Sequence, residues 1–175
     1  IWLRPNPGSE TALIGGMLRV IADEALEDHN FLNDRCDDVD LLRSSLWGFD
    51  TVKVSSITGI PQDQIREAAR LVAGRSSCAI LYALETLQPE LHKDCVEALV
   101  NLALFTNNVG NPTGGLYPLY PGANEQGSRD VGCVPKYLPG YIEVSDDDAR
   151  LSFQREWGVE LSSNDGLGIK EVVEA

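Results

Sequence analysis

A helix, a continuous apolar run and a second helix follow one another between residues 61 and 106, and this succession limits the fold most strongly. Apolar residues recur at helical spacing up to Gly74, which stands where a helix commonly ends. The run from Cys78 to Ala83 is typical of a strand that is buried on both faces. Pro89 then begins the second helix. The sequence therefore predicts an α/β fold with a small, mainly parallel sheet flanked by helices.

The first residues predict a strand, a turn and a helix. Residues 1–3 are a short apolar strand candidate, and a turn rich in proline follows. Ser9 stands at the N-cap position, and Glu10 lies in the first turn, where the helix dipole favours a carboxylate. Apolar spacing predicts an amphipathic helix over residues 10–26. Inside it, Gly15-Gly16 would permit close packing on a sheet.

Other segments are predicted from the same signals. Short helices are expected at residues 28–36 and 39–46, and a capped helix is expected between Asp146 and Gly158. Three regions follow: an α/β region over residues 1–106, a Gly/Pro-rich loop over 107–141, and an acidic helical extension over 142–175. The candidate core residues are Ile65, Ala68, Ala69, Val72, Cys95, Leu99, Leu102, Ala103, Thr106, Trp47 and Phe49.

The Gly/Pro-rich loop holds seven of the sixteen glycines and five of the nine prolines. A stretch of this length without periodicity is commonly functional or disordered. Its apolar residues, such as Leu116 and Val134, argue against disorder. We interpret it as an ordered loop laid over a bound ligand. The alternative is an irregular packed connection that binds nothing.

Composition excludes several function classes. The formal net charge of −13 over 175 residues argues against nucleic acid and anionic membranes as partners, because both require a basic face. No apolar run reaches the length of a membrane span, and there is no signal-peptide pattern. The four cysteines and two histidines lack the spacing of a zinc or iron–sulfur site. Scattered cysteines suit a reducing compartment, so we expect a cytoplasmic protein.

Six motifs in register carry a family resemblance. They are PGSETALIGGM, SITGIPQDQIREAARLVA, AILYALETLQ, LALFTNNVGNPTGG, GANEQGSRDVG and LPGY. Their order and rough spacing resemble the large subunits of molybdopterin-dependent oxidoreductases. The nearest branches are formate dehydrogenase α subunits and the related large subunit of NADH–quinone oxidoreductase (complex I). The chain also opens on Ile-Trp-Leu instead of methionine, so we expect an interior fragment of a larger multi-domain subunit.

The resemblance implies that this region helps to bind a molybdopterin guanine dinucleotide. It also implies that the 4Fe-4S cysteines and the metal-ligating residue lie outside the chain, so the chain itself has no catalytic residue and no metal site. The expected partners are other domains of the same subunit and other subunits of an electron-transfer complex. The protein would then lie in the cytoplasm, or at the inner face of the membrane through those subunits.

Two residues near the start match the turn that meets the guanine end of the cofactor in relatives. These are Ser9 and Glu10. A carboxylate can accept hydrogen bonds from two guanine N–H groups together. The alternative is that Glu10 is only a first-turn helix carboxylate.

A second group matches the pattern that lies near the pterin in the family. Amide side chains offer both donors and acceptors, which suits a pterin edge. The alternative is a set of turn-forming residues with a capping Asp130. Two glycines match the segment that leads into the site. The residues concerned are Asn124, Gln126, Gly127, Asp130 and Gly132, together with Gly114 and Gly115.

Some positions depart from the family pattern. Tyr120 stands where formate dehydrogenases carry an arginine, and a phenol cannot replace a guanidinium that holds a carboxylate. Pro121 and Glu85 each replace a glycine, and Asn107 stands where relatives often have one. Arg129 lies nearby but is assigned no role. These departures favour the complex I type, in which the molybdenum chemistry has been lost.

Two functions therefore remain open from the sequence. The first is a cofactor-binding part of an oxidoreductase large subunit, inactive by itself, that takes part in electron transfer. The second is a cofactor-free scaffold with the same fold. In the first case, Glu10 and Gln126 should lie on one rim.

Overall fold

The computed structural model describes residues 1–83, 89–120 and 122–174. These residues form α-helices, one 3-10 turn at Leu46–Gly48 and four short strands. The helices are α1 (Glu10–Asp23), α2 (His29–Arg35), α3 (Val39–Ser45), α4 (Thr51–Thr58), α5 (Gln62–Ala73), α6 (Pro89–Phe105), α7 (Glu125–Asp130), α8 (Asp147–Trp157) and α9 (Ile169–Glu174). The strands are β1 (Ala79–Tyr82), β2 (Gly115–Pro118), β3 (Tyr137–Leu138) and β4 (Ile142–Glu143).

The chain divides into two compact units, Ile1–Leu119 and Tyr120–Ala175. In the first unit, β1 and β2 pair in parallel, with Ala79 opposite Gly115. Helices α1, α5 and α6 pack together, and α4 also contacts α1. In the second unit, β3 and β4 form an antiparallel pair. The α/β fold with a small parallel sheet flanked by helices is therefore confirmed.

The apolar core of the first unit has α1 at its centre. Ile21 is fully buried, and Leu18 and Phe105 are nearly so. Gly15 and Gly16 allow the close packing that was predicted, but against other partners. A Cβ at Gly15 would lie 2.5 Å from the Phe49 ring, and one at Gly16 would meet Val54. The two glycines therefore allow α1 to pack closely against Phe49 and against Val54 of α4. Their close packing is not against a sheet.

Most helix predictions are confirmed. α5 ends at Gly74, and its stripe of Ile65, Ala68 and Ala69 is buried. α8 begins after Asp146, whose side chain accepts a hydrogen bond from the Ala149 N–H, and ends at a left-handed Gly158. α1 is shorter than predicted, since it ends at Asp23 and not at residue 26.

Three predictions are wrong. Residues 1–3 form no strand, so the chain begins with a turn and a helix. β1 is not buried on both faces, since the Leu81 side chain is 63% exposed. Trp47, predicted in the core, is 73% exposed, whereas Phe49 is partly buried. Trp47 lies at the surface, where the Arg19 guanidinium stands over its ring at 4.3 Å from the centroid.

The segment 107–141 is more structured than a single loop. It contains β2, α7 and β3. α4 was not predicted, although both of its ends carry standard signals. Asp50 accepts hydrogen bonds from the Val52 and Lys53 N–H groups, and Gly59 ends the helix with a φ of 75°.

Candidate functional site

The turn before α1 is anchored to the end of α4. The Asn6 N–H donates to the Thr58 carbonyl, and the Asn6 side chain donates to the Ile57 carbonyl, both at 2.9 Å. Ser9 is buried, and its hydroxyl donates to the Asn6 carbonyl at 2.6 Å. Ser9 therefore precedes the helix as predicted, but its side chain closes the turn and does not cap the helix.

Glu10 follows directly, in the first turn of α1. Its carboxylate forms no hydrogen bond or ion pair with any residue that the structure describes. It acts electrostatically on the buried Cys95 of α6. Burial first, and then the Glu10 charge, raise the pKa of the Cys95 thiol, while a hydrogen bond to Thr11 lowers it. The Glu10 residue is half-buried.

A buried asparagine fixes the start of β2. Asn108 is fully buried, and its Oδ1 accepts a hydrogen bond from the Cys78 N–H at 2.6 Å. Its Nδ2 donates to the carbonyl and the hydroxyl of Thr106, at 3.1 and 2.8 Å. A Cβ on Gly114 would lie 2.6 Å from this Oδ1. Gly114 is therefore needed for close packing against Asn108, and Gly115, with a φ of 136°, for the turn into the strand.

Asn107 has a left-handed backbone, with a φ of 52°. Asparagine tolerates this conformation better than most residues do, and glycine adopts it freely. This conformation explains why a glycine is suitable at the same position. The Asn107 amide donates to Asp28 at 2.9 Å. Hydrogen bonds from the Phe31 N–H, and then from Asn107, hold the pKa of Asp28 below its usual value.

An open groove of about 700 Å³ lies between α2 and the residues that follow α6. Arg35 lines it, and no carboxylate of the described residues lies within ion-pair distance of that guanidinium. Gly110 also lines it, and a Cβ there would meet no atom within 4 Å. Sequence reasoning missed this groove because its two walls lie far apart in the chain.

In the second unit, α7 carries the predicted amide and carboxylate residues. Asn124 precedes the helix without capping it through its side chain. A Cβ on Gly127 would lie 2.5 Å from the Asn124 Oδ1, so the glycine makes room for that amide. Asp130 is the last residue of α7, and its carbonyl accepts a hydrogen bond from the Gly140 N–H at 2.9 Å. Gly132 lies against the backbone at Pro139.

Three side chains meet on the exposed side of α7. The Gln126 Nε2 donates to Asp130 Oδ1 at 2.9 Å and to the Tyr141 hydroxyl at 2.7 Å. The Tyr141 hydroxyl donates to the same carboxylate oxygen at 2.8 Å. We call these three residues the Gln–Asp–Tyr cluster. The hydrogen bond to Asp130 is the main cause that raises the pKa of Tyr141.

A guanidinium lies beside Tyr120. Arg129 stands over the Tyr120 ring at 4.8 Å from its centroid and pairs with Glu125 at 2.8 Å. Hydrogen bonding to Glu125 raises the pKa of Arg129, so the side chain stays charged. Arg129 thus places a cation over the Tyr120 ring. Pro121 and Glu85 lie outside the described residues.

The predicted site residues fall into separate groups. Gln126 and Asp130 are hydrogen-bonded, and Asn124 and Gly127 are in contact on the same helix. Ser9 and Glu10 begin α1. Because Glu10 belongs to the first unit and Gln126 to the second, their common rim stays a prediction. Sequence reasoning assigned no role to Asn108 or Tyr141. For Asn108 a signal was available, because a polar pair at residues 107–108 ends an apolar helix.

None of the helices among the described residues is long and apolar enough to cross a membrane. Likewise, no group of three or more potential metal ligands occurs in that part of the chain.

Comparisons with known proteins identify the relatives. No family model matches the chain. A Staphylococcus haemolyticus protein that carries the name formate dehydrogenase is 36% identical over 171 residues, which cover 98% of this chain and 17% of that protein. The F420-dependent formate dehydrogenase subunit alpha of Methanocaldococcus jannaschii is 33% identical over 174 residues, covering 99% of this chain and 26% of that protein.

A solved structure agrees with these relatives. Acetylene hydratase from Pelobacter acetylenicus superposes with a TM-score of 0.61 at 29% identity, over 65% of this chain and 16% of that one. The chain thus spans about a quarter or less of each relative's length. With the six motifs in register, these matches show that the chain belongs to the family of molybdopterin-dependent oxidoreductase large subunits that includes the formate dehydrogenases, and that it corresponds to a part of such a subunit.

Proposed function

We propose that the chain is a cofactor-binding part of an oxidoreductase large subunit, of either the formate dehydrogenase type or the NADH–quinone oxidoreductase (complex I) type. In the complete protein it takes part in electron transfer with iron–sulfur clusters that lie outside this chain. The observation that carries the proposal is the alignment with relatives named formate dehydrogenase over 98–99% of the chain.

The residues present fit a molybdopterin guanine dinucleotide. Glu10 has a carboxylate without a protein partner among the described residues, which suits the N–H edge of guanine. Gln126 and Asp130 offer polar atoms on an exposed surface, which suits a pterin edge. The cofactor supplies the redox chemistry, whereas these residues bind and orient it.

Other predicted residues act indirectly. Gly114 and Gly115 begin β2, and Gly114 packs closely against Asn108, so these glycines shape the segment that leads into the cofactor site. Ser9 holds the turn that presents Glu10. Gly127 lacks a side chain and therefore leaves space for the Asn124 amide beside α7.

The same proposal implies partners. One relative is named as a subunit, which supports other subunits and other domains as neighbours. Exposed apolar side chains, such as Leu81 and Trp47, supply surfaces for such neighbours. We propose a location in the cytoplasm or at the inner face of the membrane.

The test uses the complete polypeptide that contains this chain. Purified protein is assayed for molybdenum or tungsten and for pterin released on denaturation. We expect pterin in the unchanged protein, and less in Glu10→Ala and in Asp130→Ala. Asn111→Ala is the matched control, because this half-buried residue belongs to none of the predicted site groups.

A second candidate is a cofactor-free scaffold of the complex I type. Tyr120 in place of an arginine favours it, as do the exposed Leu119 and Tyr120 side chains at that position. A complete protein that contains neither pterin nor metal would establish this candidate and overturn the first.

The chain alone should bind guanine nucleotides weakly at best, because the full site needs walls from the rest of the subunit. Calorimetry with GMP checks this expectation. A micromolar affinity that is lost in Glu10→Ala would show that this chain carries more of the site than proposed.

A further inference from the structure

Tyr141 has an unusual backbone conformation. Its φ is 62°, in the left-handed region that bulky side chains rarely occupy. Gly140 before it is also left-handed, with a φ of 81°, but glycine adopts this conformation freely. A left-handed backbone at a non-glycine residue is unfavourable and persists only where the surroundings impose it. Two consecutive left-handed residues turn the Tyr141 side chain back toward α7.

The donor and the acceptor in each hydrogen bond of the Tyr141 hydroxyl can be assigned in only one way. The Asp130 carboxylate can only accept, and the Gln126 Nε2 can only donate. The Tyr141 hydroxyl therefore accepts from Gln126 and donates to Asp130, at 2.7 and 2.8 Å. The raised pKa of Tyr141 agrees with a phenol that stays protonated at neutral pH.

The hydrogen bonds of Gln126 determine which way its amide points. Nε2 uses its two hydrogens on Asp130 and Tyr141. The carbonyl oxygen, Oε1, has no hydrogen-bond partner among the described residues, and the side chain is exposed. An amide without these two partners can turn over and present N–H groups instead.

We propose that Tyr141 is a positioning residue that fixes the Gln126 amide, so that the chain offers an acceptor oxygen to the N–H edge of a flat heterocycle. The inference rests on the proposed function, because that function supplies such a ligand. The 2-aminopyrimidin-4-one edge, which pterin and guanine share, carries adjacent N–H and NH₂ donors. An amide in the opposite orientation would place donors against donors.

Stability alone does not account for the arrangement. Gln126, Asp130 and Tyr141 are all exposed, and hydrogen bonds in contact with water contribute little to folding. The left-handed backbone at Tyr141 opposes folding. Binding of a ligand over the cluster would exclude water and strengthen the same hydrogen bonds.

The first experiment observes the free 175-residue chain by NMR. Tyr141→Phe removes only the hydroxyl, and Tyr137→Phe is the matched control, because that neighbouring ring lies outside the cluster. We expect Tyr141→Phe to shift one of the two Gln126 side-chain N–H signals upfield, and Tyr137→Phe to leave both in place. Unchanged Gln126 signals in Tyr141→Phe would overturn the inference.

The second experiment measures binding of 6-hydroxymethylpterin and of GMP to the complete polypeptide, freed of any bound cofactor, with and without the same substitutions. We expect Tyr141→Phe to weaken pterin binding about five- to tenfold, the effect of one hydrogen bond. Equal pterin binding by Tyr141→Phe and the unchanged polypeptide would overturn the role in ligand orientation. Equal weakening for GMP would assign the cluster to the guanine end.

Failure of the proposed function has a different signature. In that case the unchanged complete polypeptide binds neither probe, and as purified it contains no pterin. The ligand part of the inference is then overturned, while the NMR result still decides whether Tyr141 fixes the amide.

Discussion

The two units of the molecule differ in what holds them together. In the first unit, the buried cluster runs from Leu13 to Phe105 and includes side chains of most helices. In the second unit, Leu138 is the buried apolar side chain among the described residues. Turns, glycines, polar contacts and aromatic pairs such as Phe153 with Trp157 hold the remainder of that unit. The first unit is therefore stabilised by packing, whereas the second depends on local geometry.

Similar polar side chains have different roles in the two units. The Asn108 amide is fully buried and completes a sheet. The Gln126 amide is exposed and leaves its oxygen to the solvent side. A buried amide serves folding because its loss leaves unpaired groups, and an exposed one is free to serve binding.

The largest expected effect is that of a core truncation. Phe105→Ala should lower the free energy of unfolding by about 3–5 kcal/mol, because it opens a cavity in the first unit. Leu138→Ala should cost at most about 2 kcal/mol, since Leu138 lies outside the large apolar cluster. Urea denaturation and amide hydrogen exchange measure both. Equal loss of protection in the first unit for the two variants would break the comparison.

The two amides provide the next test. Asn108→Ala should cost about 3 kcal/mol, because the Cys78 N–H and the Thr106 carbonyl lose a buried partner. Gln126→Ala should change the free energy of unfolding by less than about 0.5 kcal/mol, as exposed substitutions do. Urea denaturation followed by circular dichroism checks the pair. A Gln126→Ala cost as large as that of Asn108→Ala would contradict the assigned roles.

Two glycines test whether the second unit has close packing of its own. Both are left-handed, but a Cβ at Gly132 would lie 2.7 Å from the Pro139 nitrogen, and one at Gly158 would meet nothing within 4 Å. Gly132→Ala should therefore cost about 2 kcal/mol. Gly158→Ala should cost about 1 kcal/mol, from its backbone alone. Hydrogen exchange near residues 137–143 measures the difference, and identical effects would show that Gly132 is not crowded.

The smallest effect concerns the contact of Asn107 with Asp28. Asn107→Gly keeps the left-handed backbone and removes the hydrogen bond, so it should cost about 1 kcal/mol at neutral pH. The folded-state pKa of Asp28 lies below its usual value, so this contribution is present above the unfolded pKa and is lost as the pH falls through the folded one. The difference in urea midpoint between Asn107→Gly and the unchanged chain should therefore be larger at pH 7 than at pH 3. An equal deficit at both values would exclude the charge-dependent contact.

Local sequence signals were sufficient to predict the helices, but they did not predict which residues surround the strands. Helical spacing and end signals predicted α5 and α8 closely. The apolar run at β1 predicted the strand but not the exposure of Leu81, because a run of apolar residues does not show what covers it. Residues 1–3 have strand-like composition and no strand partner among the described residues.

The candidate site shows the same limit. The family resemblance indicated Gly114 and Gly115, but Gly114 is needed for close packing against the Asn108 side chain, which periodicity cannot place. Gln126 and Asp130 share one helix face because α7 forms there, whereas the sequence predicted a loop over these residues. The third member of that cluster, Tyr141, comes from a left-handed turn that a tyrosine would not suggest.

The Asn108 contact also constrains the order in which the chain assembles. It joins residues that are 30 positions apart, and α6 lies between them. The start of β1 therefore lacks its hydrogen-bond partner until that helix has formed and returned the chain to Cys78. Closing so long a segment costs entropy before any contact compensates for it. Sheet formation should accordingly be a late event, which any substitution that slows α6 will delay further.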